Sequence, residues 1–238
     1  MMRTVYVNKK NLILGIIGSV FMMAGDLTLS LITPCDNDTG LFIRQAYFDG
    51  QYPAWKLIFM VLTGAVGVFG YWYGLEEMHN SILPEYGKTR KCFKICSMFF
   101  CFTGLVIHYG VGIGAYEVSY LAQHFDEETA RRVVEDYAGN ILPGFYILYI
   151  PIAGIFIIHL IMLIMKKTIY SRRMICFSPI LLMGIFALIP DIRQALGCHL
   201  TTLDYVCSQC SGNLSPFLYF LLCMVLPDGF KYEHTSHK

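Results

Sequence analysis

Long apolar runs separated by short polar, charged or proline-marked breaks dominate the chain. A helical membrane span needs about 20 apolar residues. Windows of that size pick out six: Asn11–Thr33, Trp55–Glu76, Lys91–Tyr120, Pro143–Met165, Met174–Pro190 and Leu214–Pro227. The third exceeds what a span requires, and the fifth and sixth fall short of it. Proline fixes its own torsion and lacks a backbone donor, so Pro34, Pro143, Pro190, Pro216 and Pro227 mark ends, whereas Pro151 inside the fourth run predicts a kink. The pattern predicts an all-α polytopic membrane bundle of six transmembrane helices, residues 1–238 forming one integral membrane domain.

Composition agrees with that class. The hydrophobic fraction is 55% and the charged fraction 15%, with a mean hydropathy of +0.52, whereas soluble domains carry about a quarter charged residues. A net charge of +1, with no basic repeat or aromatic–basic interleaving, excludes nucleic acid as a partner and leaves membrane lipids and a small molecule. The Lys and Arg residues fall 13 on one side of the predicted stack and 5 on the other, so both termini are expected in the cytoplasm of a cell-membrane protein. The first apolar run is longer than a signal-peptide core and no small-residue cleavage pair follows it, so it is expected to remain as a span. No internal repeat is evident.

Asp26 interrupts the first run. Positions three and four apart share a helix face, which groups Asp26 with Gly15, Gly18, Ser19, Met22, Gly25, Leu29 and Ser30; the opposite face carries Ile13, Ile16, Ile17, Val20, Phe21, Leu27 and Leu31. Small residues let membrane helices approach closely, so the Gly/Ser stripe should face the bundle and carry Asp26 inward. A carboxylate at a helix centre costs about 3 kcal/mol on insertion scales, and a compensating group is expected. His108 lies at comparable depth on the third run with Tyr109 next to it; Glu117, Asp191 and Arg193 stand further out, and together these six could line a ligand-binding pocket open to the outside. Alternatively Asp26 holds a neighbouring carbonyl or serine as packing glue, and Glu117, Asp191 and Arg193 are merely solvated.

Of nine cysteines, Cys35, Cys198, Cys207 and Cys210 fall in predicted outer loops, and an even set on an oxidising side reads as disulfides. The Cys207–Cys210 spacing also resembles that of membrane thiol-disulfide oxidoreductases, and Cys198, His199, Cys207 and Cys210 have the types for a zinc site; both readings rank below the static bridge, and neither a metal nor a cofactor is expected. Phe125–Gly139 should form a short surface helix over the outer mouth. Glu76, Glu77 and His79 read as a solvated helix end, and the C-terminus after Leu226 reads as a turn and tail.

The triplet Gly25-Asp26-Leu27 within "AGDLTLSL", with six spans and this length, resembles a functionally uncharacterised family of small bacterial six-span membrane proteins. The resemblance follows architecture along most of the chain, is residue-specific only around that octet, and implies no chemistry. No lipid-hydrolase, rhomboid, retinal-protein or zinc-protease motif is present. The leading expectation is therefore binding or transport of a small polar or cationic molecule, with Asp26 as anchor and His108 as proton partner. Acid–base chemistry on a lipid-soluble substrate and a structural interaction protein are the alternatives.

Overall fold

The structure, a computed structural model, describes residues 7–35, 38 and 44–226. Its helices are α1 (Lys9–Ser30), α2 (Gln45–Phe48), α3 (Ala54–Ser81), α4 (Gly87–His124), α5 (Glu127–Ile147), α6 (Ile150–Ile164), α7 (Pro179–Ala187), α8 (Ile189–Ala195), α9 (Thr202–Gln209) and α10 (Ser211–Val225), with a 3-10 turn at Arg172–Ile175. No strand occurs among the described residues; an isolated antiparallel bridge joins Ile82 to Thr168.

Five stretches are long and apolar enough to cross a membrane: α1, α3, α4, the broken pair α5–α6, and the run from Arg172 to Ala195. The sixth apolar helix, α10, has 15 residues, about 22 Å at helical rise, less than the roughly 30 Å hydrocarbon core. It begins at Ser211, three residues before the predicted run; Pro227, the expected end of that run, and the tail beyond it lie outside the described residues.

Proline explains where the broken spans break. A proline inside a helix clashes with the carbonyl four residues before it; for Pro151 that residue is Ile147, where α5 stops, and Pro151 sits in the first turn of α6. The discontinuity therefore falls just ahead of Pro151. Pro190 divides α7 from α8 in the same way. Pro143, by contrast, lies inside α5, so the predicted surface helix and the start of the fourth run are one continuous element.

α1 packs mainly on α3 and α10. Every residue of the predicted small and polar stripe is buried, and Ile13, Ile17, Val20, Phe21 and Leu31 are exposed. The approach of α1 to α3 leaves no room for side chains: a Cβ on Gly18 would stand 2.5 Å from the Tyr71 backbone nitrogen, and one on Gly15 would stand 2.8 Å from the Gly74 Cα. Gly15 also meets Phe220, whereas Cys210 lies by Met23 near the other end of α1. Hence α3 and α10 both run antiparallel to α1, and the start of α1 and the end of α10 share one end of the bundle.

The opposite end of α1 is capped by the segment after it. Arg44 Nη1 and the Tyr47 hydroxyl donate to the Leu29 carbonyl at 3.2 Å each, and Lys56 Nζ donates to the Leu31 carbonyl at 3.1 Å. These last carbonyls have no intrahelical donor, and cations there also suit the helix dipole. At the basic end α3 continues to Ser81, beyond the predicted Glu76, and residues 167–169 pair over it. Glu77 is consequently 1% exposed, which corrects its reading as part of a solvated helix end; Glu76 does face charge, lying 3.7 Å from Lys94.

Candidate functional site

Four helices converge on Asp26. Its Oδ2 accepts a hydrogen bond from Asn213 Nδ2 of α10 at 2.6 Å, and its Oδ1 lies 3.4 Å from His108 Nδ1 of α4. The Asn213 side-chain oxygen accepts in turn from the Tyr71 hydroxyl of α3 at 2.8 Å. Asp26 is 7% and His108 4% exposed. A carboxylate with an amide donor on one oxygen and an imidazole beside the other is compensated for its removal from water.

Glycines set the position of the imidazole. A Cβ on Gly25 would stand 2.2 Å from His108 Nε2, and one on Gly64 would stand 2.4 Å from its Cδ2. The ring thus occupies a slot between α1 and α3 that only two glycines leave open. Its Nε2 is buried and has no hydrogen-bond partner.

Asp26, His108 and Asn213 line a cavity of about 260 Å³. Its apolar walls include Met60, Phe100 and Ile152, and Tyr149, at the α5–α6 break, also faces it. Ser208, Gln209 and Gly212 from the α9–α10 junction add polar groups. Pro216 inside α10 cannot supply the N–H that would otherwise close on the Gly212 carbonyl. The result suits a small guest with one charged or donor-rich end and an apolar remainder.

The other sequence-predicted residues lie elsewhere. Tyr109 is 47% exposed on the outside of α4. Glu117 lines a separate hollow between α4 and α5. Asp191 is exposed on α8, and Arg193 is paired with Asp204 of α9 at 2.9 Å. Sequence reading missed Asn213 and Tyr71. Asn213 carried a signal, being a polar residue one position ahead of the last apolar window; Tyr71 carried none, because a mid-span tyrosine looks like core.

All nine cysteines are free thiols, so the predicted bridges among Cys35, Cys198, Cys207 and Cys210 are absent. Cys210 is buried and turned toward the Met23 carbonyl, its Sγ 4.0 Å away, whereas Cys198 sits exposed on the turn after α8. Burial pushes the Cys207 thiol up, with Asp204 adding to it, and burial pushes Cys210 up as well. Reactive thiols are shifted the other way, which argues against redox work by this pair. Among the described residues no group of three or more His, Cys, Asp or Glu side chains is arranged to hold a metal.

No curated protein and no solved structure matches the chain. A profile described as a family of unknown function, DUF6796, matches residues 2–226, nearly the whole length. The chain belongs to that family.

Proposed function

We propose that this is a six-span cell-membrane protein with both termini cytoplasmic that binds or transports a small polar or cationic molecule, with Asp26 as the anchor. The observation that carries the reading is the cavity itself: a carboxylate held by Asn213 and His108 lines an otherwise largely apolar hollow. Intramembrane acids of this kind mark ligand or ion sites. A 15-residue α10 serves as the sixth span if its flanks reach the interface or the bilayer thins around it.

The acid–base alternative requires His108 Nε2 to reach a substrate. That atom instead abuts Gly25 and Gly64 and is cut off from solvent, so binding is the better supported reading. Uptake of radiolabelled small amines and guanidines into proteoliposomes under a pH gradient tests it. Transport should vanish in Asp26→Asn and persist in Cys207→Ser; uptake indifferent to Asp26→Asn would overturn the proposal, and substrate turnover without translocation would favour the enzyme.

A further inference from the structure

A second hollow, of about 430 Å³, lies between α4 and the first half of α5 and shares no lining residue with the Asp26 cavity. Tyr116, Tyr120 and Tyr137 line it together with Leu121 and Val134, and Glu117 is its one charged lining residue. Tyr116 and Tyr120 stand 6.2 Å apart, centroid to centroid. The Tyr120 ring is stacked on His124 at 4.0 Å, and His124 Nδ1 donates to the Tyr120 carbonyl at 2.8 Å, which fixes that wall in advance. Glu117 of α4 and Tyr137 of α5 both line the hollow. Among the described residues no ion pair engages Glu117.

Depth matters as much as lining. Nine residues separate Glu117 from His108, about 14 Å along a helix, which puts the carboxylate near the outer edge of the hydrocarbon if His108 lies near mid-bilayer. Tyrosine faces attract cations, and rings combined with a carboxylate are the usual chemistry for substituted ammonium groups. The apolar remainder of the wall would suit a hydrocarbon chain leaving toward lipid. A zwitterionic phospholipid headgroup fits less well, since its phosphate would find no cation among the lining residues.

We propose that the α4–α5 hollow binds a net-cationic amphiphile, a tertiary or quaternary ammonium on a hydrocarbon tail, with Glu117 and the three tyrosines around the ammonium. The inference is independent of what occupies the Asp26 cavity. The test is photolabelling of the full chain in phosphatidylglycerol nanodiscs with a diazirine-bearing dodecyltrimethylammonium, mapped by mass spectrometry. Labelling should concentrate on residues 114–121 and 133–137, fall about tenfold in Glu117→Gln, fall also in Tyr137→Leu, and survive in Glu117→Asp, which separates loss of charge from loss of fold. Equal labelling by an uncharged dodecyl probe, no change in Glu117→Gln, displacement by phosphatidylcholine as potent as by the alkylammonium itself, or labelling centred on Asp26 would each overturn it.

Discussion

At the scale of single residues, Asp26 and the glycines around it divide the work. Asp26 supplies charge, while Gly25 and Gly64 supply the slot in which His108 can stand beside it. Gly25→Ala would drive a Cβ into the imidazole, and overpacking of this kind costs about 1–3 kcal/mol; a lowered thermal midpoint in detergent is the expected readout. Gly104 is the opposite case, because it lines the cavity and a Cβ there meets nothing within 4 Å. Gly104→Leu should therefore fill the hollow at little cost in stability, separating occupancy of the cavity from integrity of the fold by binding and thermal-shift measurements on one variant. Asp26 and its inward direction were legible in the sequence, since a helix repeat places small and apolar residues on opposite faces. Asn213 was legible only as a polar residue ahead of an apolar run and Tyr71 not at all, because the chain from Tyr71 through Asn213 to Asp26 is made only by the packing of α3 and α10 onto α1.

At the scale of elements, the apolar runs were legible and their interruptions less so. Hydropathy averages over about twenty residues and gives no sign that α5 runs on through Pro143, whereas the break between α5 and α6 at Leu148 is the kink that Pro151 predicts. The short α9 was invisible to that average, yet it has a defined local logic. Thr201 caps it reciprocally with Asp204, and Asp204 is tied to Arg193 of α8. Burial pushes the Asp204 carboxyl up, but hydrogen bonds from Thr201 and the Arg193 guanidinium outweigh it and hold the value low. The folded value lies below the unfolded one, near 3.9, so this contribution is full above about pH 4 and disappears as pH falls through the folded value. Amide protection factors in α9, referred to the intrinsic exchange rate at each pH, should accordingly fall below about pH 4 in wild type, and Thr201→Ala should weaken the element by about 1 kcal/mol at neutral pH; protection in α9 unchanged by acid would contradict the assignment. The cap on α1 makes a parallel prediction: Arg44→Met should lower the thermal midpoint, because it strips the Leu29 carbonyl of one buried donor.

At the scale of the whole molecule, the charge pattern and the packing make one arrangement. Lys88, Arg90, Lys91 and Lys94 at the start of α4 and Lys166, Lys167, Arg172 and Arg173 after α6 gather at the end of the bundle where α1 begins. If that end is cytoplasmic, a membrane-impermeant maleimide applied to intact cells should label the exposed Cys198 and spare the exposed Cys92 until the membrane is permeabilised; the reverse pattern would invert the proposed topology. Alkylation of denatured protein should also give the same mass shift with and without reductant, because the cysteines are unpaired. The central claim, that Asp26 anchors a small guest inside the bundle, is tested most directly by equilibrium binding of a panel of small amines and guanidines to the full chain in nanodiscs. At least one compound should bind wild type, with affinity reduced about tenfold or more in Asp26→Asn and abolished in Gly104→Leu at unchanged thermal stability. Binding that both variants leave intact, or no binding across the panel, would contradict it.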